Sequence, residues 1–141
     1  MYSDFKIDLD AYLAANWTLT PIFDYANNPG DPGGYDPWMG YRPIILSDEV
    51  QSIASGPHCI LGSYGIEFTV AIGSAEGQQE SIDLTEALKA LFIGKRIPTS
   101  DTATIDTITV DTEFGVKQED ESSGKWYKAT VFVAFEYRYF I

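Results

Sequence analysis

Apolar residues recur at helical spacing in two stretches of the chain, residues 4 to 15 and residues 78 to 92. The apolar sides comprise Phe5, Leu9, Tyr12 and Leu13 in the first stretch and Leu84, Leu88, Leu91 and Phe92 in the second. The polar sides comprise Asp4, Lys6, Asp8 and Asp10 in the first and Asp83, Glu86 and Lys89 in the second. Gly94 stands where a helix commonly ends. The pattern therefore predicts two amphipathic helices.

Strict alternation of apolar and polar residues predicts three strands, at residues 65 to 72, 105 to 114 and 127 to 139. Their apolar faces comprise Ile66, Phe68, Val70 and Ile72 in the first, Ile108, Val110 and Phe114 in the second, and Tyr127, Ala129, Val131, Val133, Phe135, Tyr137 and Tyr139 in the third. Shorter strands are predicted at residues 17 to 23, 42 to 46 and 50 to 54, with Pro21 at an edge or a strand start. These elements predict an α+β fold, with a single, mostly antiparallel sheet and about two helices packed on it.

Residues 24–41 form a predicted long irregular loop, rich in Pro, Gly, Asp and Asn. Long loops in compact domains are usually functional or disordered, and aromatic and Met side chains are enriched where proteins meet. The candidate contact patch of this loop consists of Tyr35, Trp38, Met39 and Tyr41. In the alternative interpretation, Trp38 and Tyr41 fold back and cover the sheet.

The 141 residues fit a single domain, residues 1–141, and a hydrophobic content of 45% predicts a folded chain. The formal net charge of −12 argues against general nucleic-acid binding, which needs clustered Lys and Arg. The acidic run Glu119, Asp120 and Glu121 is either a solvated hairpin tip or a contact for a basic partner. An N-terminus without a signal-peptide pattern, and no apolar run of membrane-spanning length, predict cytosolic synthesis and no membrane partner.

The residue types that carry chemistry form no recognisable site. His58 and Cys59 are neighbours, so in an extended segment their side chains point to opposite faces, and a nucleophile needs its base within hydrogen-bond reach. One Cys and one His cannot build a Cys/His zinc site, and Asp24, Asp31 and Asp36 do not match a calcium-binding loop. The glycines of GDPGG and GSYG lack phosphate-loop spacing and are assigned to turns. We therefore expect no catalytic residue, no cofactor and no metal.

Several segments, in their order and spacing, resemble the tail terminator and tail-completion proteins of long-tailed bacteriophages. After a short acidic N-terminal helix, these segments are WTLTPIFDYAN, GIEFTVAIG, TEALKALFIGKRI and the terminal GKWYKATVFVAFEYRY. The resemblance covers nearly the whole chain and consists of hydrophobicity and turn patterns. The Pro/Gly-rich loop is where the chain departs most from the family.

The resemblance implies a virion protein that forms a ring, expected to be hexameric, at the head-proximal end of the tail tube. Such a ring stops tail polymerisation and joins the head, so its implied partners are other copies of the chain, the tail tube protein and a head-completion or connector protein. DNA would pass through the ring without specific binding, which suits an acidic surface. The alternatives are another morphogenesis subunit, namely a connector, tube or minor tail protein, or a soluble module that binds a ligand or peptide. An enzyme using His58 ranks third.

Overall fold

The computed structural model describes residues 2–24, 37–51, 59–73, 78–99, 103–115 and 126–140. Two helices are present, α1 (Tyr2–Asn16) and α2 (Gln78–Ala90). Six strands complete the described part of the chain: β1 (Ile22–Asp24), β2 (Trp38–Val50), β3 (Cys59–Gly73), β4 (Arg96–Ile97), β5 (Thr104–Gly115) and β6 (Trp126–Phe140). The predicted α+β class is confirmed.

The strands form one sheet in the order β1-β2-β3-β6-β5-β4. Strands β2 to β6 pair antiparallel with their neighbours, and only β1 pairs parallel, with β2. The two longest strands, β3 and β6, lie at the centre and pair over fifteen residues each, from Cys59 opposite Phe140 to Gly73 opposite Trp126. The C-terminal strand is thus a central strand, and the short strands β1 and β4 lie at the two outer edges.

One face of the sheet packs against the helices, as the alternation predicts. The side chains of this face that are at most 3% exposed include Ile66, Phe68, Val70, Ala129, Val131, Val133, Phe135 and Tyr137. Helix α1 contributes Phe5, whose ring centroid lies 4.9 Å from that of Tyr64 and 5.2 Å from that of Phe135. The hydroxyl of Tyr12 donates a hydrogen bond to the carbonyl oxygen of Leu91 at 2.6 Å, which joins α1 to the end of α2. We call this the helix face and the opposite one the open face.

The end of α2 confirms the sequence signal at Gly94, which has a φ of +65°. A glycine there tolerates the left-handed backbone that follows a helix. Phe92, two residues earlier, is fully buried, with its ring centroid 5.1 Å from that of Phe68. The backbone turn therefore directs the last apolar residue of the helical pattern into the core.

The exposure of two residues differs from the predictions. Ile108 was predicted to share a face with Val110, but the register shifts between Thr107 and Thr109, so that Ile108 is the extra residue of a bulge and is 54% exposed. The preceding core residue, Ile105, is fully buried. In α1, Asp8 was placed on the polar side, yet it is only 7% exposed. Local spacing does not reveal a bulge, and it does not reveal which polar positions lie under neighbouring elements.

Three element assignments are also corrected. Strand β2 covers Trp38–Val50, whereas the sequence predicted a loop over 24–41 followed by a short strand at 42 to 46. Residues 38 to 41 are therefore strand, Asp24 ends β1, and residues 25–36 lie outside the described residues. The GSYG glycines, Gly62 and Gly65, lie inside β3 rather than in a turn.

Candidate assembly surface

Four of the exposed large apolar side chains of the described chain lie on β2. Strand β1 pairs only with residues Met39 to Tyr41, and no other described residue pairs with the outer side of β2. The exposed apolar residues of β2 are Ile44 (44%), Ile45 (62%), Leu46 (49%) and Val50 (57%). An unpaired edge presents free backbone N–H and C=O groups, and exposed apolar side chains beside it favour pairing with another strand.

A bulge in β2 decides which face of the sheet each of these side chains occupies. The pairing of β2 with β3 shifts between Pro43 and Ile45, which makes Ile44 the additional residue. Before the bulge, Arg42 lies opposite Glu67 on the open face, and their side chains form an ion pair at 3.2 Å. After it, Ile45 occupies the open face and Leu46 the helix face. Proline is tolerated at such an edge because it donates no ladder hydrogen bond.

Tyr64 attaches the exposed half of β2 to the core. Its ring is 1% exposed, and its hydroxyl donates a hydrogen bond to Oδ1 of Asp48 at 2.6 Å. Burial, and then this hydrogen bond and the carboxylate charge, raise the pKa of the Tyr64 phenol above its ordinary value. The ring also lies against Gly62, where an added Cβ would be 2.5 Å from Cζ of Tyr64. Gly62 therefore makes room for the aromatic ring that holds the edge strand.

The opposite edge of the sheet is also largely open. Strand β4 pairs only with Ile105 and Asp106 of β5, and no described residue pairs with the outer side of residues 109–115. The exposed Ile108 lies on this edge. Arg96 of β4 forms an ion pair with Asp106, with Nε 2.7 Å from Oδ1. Both lateral edges of the sheet thus carry backbone groups and apolar side chains that another strand could cover.

The contact patch predicted in the long loop is placed differently. Trp38, Met39 and Tyr41 are at most 3% exposed and lie among the first residues of β2, at its buried end. Tyr41 donates a hydrogen bond to Asp10 of α1, and Lys6 lies over the Tyr41 ring at 5.9 Å. In the described chain these three side chains are buried as members of the sheet itself, and the contact patch stays a prediction.

The remaining candidates fall outside the described residues. These are Tyr35, His58, Asp31, Asp36 and the acidic run Glu119, Asp120 and Glu121. Cys59 begins β3 and is half-buried. Among the residues that the structure describes, no group of three His, Cys, Asp or Glu side chains is arranged to hold a metal. None of the described helices is both long and apolar enough to cross a membrane.

Sequence reasoning missed the edge of β2, although a signal was present. The adjacent residues Ile44, Ile45 and Leu46 break the alternation expected of a strand with one wetted face. Three consecutive apolar residues in an antiparallel strand place at least one of them on the wrong face, unless both faces are covered. Such a run beside Pro43 indicates an edge strand that carries apolar side chains on both faces.

Comparison with known proteins adds no family to this description. No protein-family model matches the chain, and no curated protein matches it.

Proposed function

We propose that this chain is a structural subunit of a long-tailed phage virion, which caps the head-proximal end of the tail tube and joins the tail to the head. The function consists of self-association into a closed ring, with one side of the ring on the last ring of the tube and the other toward the head. The proposal assigns no chemical step to the chain.

The observation that carries the proposal is the pair of open edges on opposite sides of one sheet. Residues Ile44 to Val50 on one edge and Ile108 on the other expose apolar side chains next to backbone that no described residue pairs. A subunit with a different surface on each side associates head to tail, and such contacts close into rings when the rotation between neighbours allows it. This arrangement supports an assembling subunit better than a monomeric binding module.

Charge is consistent with the same role. A formal net charge of −12 makes the surface repulsive to DNA. A ring that surrounds a DNA channel benefits from such repulsion, because DNA that adhered to the wall would not pass. The sequence resemblance to tail terminators supports the proposal independently of the sheet edges.

The test is deletion of the coding sequence from the phage that carries it, followed by electron microscopy of the lysate. A tail terminator predicts filled heads that are separate from tails of uncontrolled length, and added purified chain should restore joined particles. Absence of any tail tube would instead identify a tube protein. Tails of normal length beside heads that lose their DNA would identify a connector, and normal infectious particles would refute a role in the virion.

A further inference from the structure

At each edge of the sheet the outermost strand is short and pairs with only one end of its neighbour, which leaves a step in the edge. The steps of the two edges lie at opposite ends of the sheet. We call a row of paired residues that crosses the sheet from strand to strand a register line. The register line that starts at Ile97 of β4 passes through Ile105, Tyr137 and Gly62 and reaches Asp48 of β2. Strand β4 therefore lies at the end of the sheet where β2 is open. The line from Ile22 of β1 passes through Met39, Val70 and Ala129 and reaches Phe114. Strand β1 therefore lies at the end where β5 is open.

Two copies side by side would fill each other's steps. If β5 of one copy lies beside β2 of the next, the single strand position between them is occupied by β4 at one end and by β1 of the next copy at the other. Strand β1 runs parallel to β2, and β5 runs opposite to β2, so β1 would meet β5 antiparallel. Antiparallel pairing is the slightly more stable arrangement. By the same strand directions β4 runs parallel to β2, so β4 would meet β2 of the next copy in parallel.

The charges of β4 and of the open part of β2 are also complementary. Lys95 and Arg96 are exposed on the β4 side, whereas the open part of β2 carries the exposed residues Asp48 and Glu49 and no Lys or Arg from Pro43 to Val50. The register line through Arg96 reaches β2 at Ser47, two residues from Glu49.

The two charged side chains also share a face of the sheet. Arg96 pairs with Asp106 on the open face, and Glu49 lies on the same face. Diagonal neighbours across strands are within reach of long side chains, and a guanidinium has enough donors to bind a second carboxylate.

We propose that copies of this chain associate edge to edge through these steps, with β4 of one copy beside the open part of β2 of the next. Strand β4 then covers the middle of the exposed stretch Ile44 to Val50, at Ser47 and Asp48, and Arg96 of one copy lies beside Glu49 of the next. The contact is heterologous, so it repeats in one direction, and it closes into a ring when the rotation between neighbours allows it. This inference rests on the proposed function only in requiring self-association.

The experiment is light scattering coupled to size-exclusion chromatography, from low micromolar to near-millimolar protein. Glu49→Lys and Arg96→Glu place like charges at the junction, and each should raise the concentration needed for association about tenfold or more. The double variant restores opposite charges in reversed order and should associate at lower concentration than either single variant. Its recovery is partial because Glu at position 96 also faces Asp106 of its own copy. Urea unfolding of dilute samples checks that each variant is folded.

The control is Glu86→Lys on α2, whose carboxylate is 60% exposed. Like Glu49→Lys, it makes the net charge of −12 less negative by two. If only overall repulsion governed association, both variants would associate more strongly than the wild type. The proposal requires the opposite result for Glu49→Lys alone.

Three outcomes would overturn the edge pairing: a double variant no better than the single ones, equal behaviour of the Glu49 and Glu86 variants, or a wild type that stays monomeric at every concentration. In the monomeric case the open edge would belong to a strand of a different protein. The deletion experiment judges the proposed function separately, so an intact tail-capping phenotype with unaffected charge variants would reject only this interface.

Discussion

Gly62→Ala tests whether the fit between β3 and the Tyr64 ring holds the edge strand in place. The new methyl group would lie 2.5 Å from Cζ and Oη of Tyr64, a separation that requires the ring to move. The ring is 1% exposed, and its centroid lies 4.9 Å from that of Phe5 and 6.0 Å from that of Tyr137, so it has little space.

Overpacking of this kind costs about 1–3 kcal/mol. The loss of glycine's freedom in the unfolded chain recovers about 0.4–1 kcal/mol. We therefore expect a net loss of about 1–2 kcal/mol in the free energy of unfolding.

The assay is urea unfolding at low protein concentration, which limits any contribution from association. Gly65→Ala is the matched control, because its Cβ would lie 3.4 Å from Cβ of Ile45, an ordinary contact, and its stability should equal or slightly exceed that of the wild type. In a Tyr64→Leu background the cost of Gly62→Ala should largely disappear. A Gly62→Ala variant as stable as the Gly65→Ala control, or an undiminished cost beside Leu at position 64, would refute the packing argument.

Three further predictions concern the core, the pH dependence and the end of α2. Phe92→Ala should cost about 3–5 kcal/mol because the ring is fully buried, whereas Ile93→Ala, at a position that is 55% exposed, should cost little, and urea unfolding compares the two. The pKa of Tyr64 is raised in the folded state, so its contribution to stability is complete below about pH 10 and is lost as the pH rises further. Tyr64→Phe should therefore show a shallower alkaline decline in unfolding free energy, and an equally steep decline would contradict this. At Gly94 the φ of +65° predicts that Gly94→Ala lowers the free energy of unfolding by about 1–2 kcal/mol, although no atom lies within 4 Å of the added Cβ, and that Gly94→Asn lowers it less. Equal melting temperatures for the two variants would argue against a left-handed backbone at this position.

The exposure of the β2 edge could not be predicted residue by residue. Whether Leu46 is buried depends on the bulge at Pro43 and on how far the neighbouring strands and helices extend. Near Trp38 and Met39 the sequence predicted a loop where the structure has buried strand residues, because aromatic residues between glycines and prolines resemble an exposed loop. In the folded chain, pairing with β1 and β3 places these residues in the interior.

The sequence by itself determined the two helices, the central strands and the buried faces of β3 and β6. Those elements are long and strictly periodic, and periodicity is a local property that burial of one face enforces. Only the tertiary structure decided the order of the strands, the bulges at Ile44 and Ile108 and the stepped edges. These depend on pairing between residues distant in the chain, where a shift of one residue exchanges the two faces. The candidate assembly surface arises from that pairing. The run from Ile44 to Leu46 signals an edge in the sequence, but the exposure of each residue could be assigned only in the folded chain.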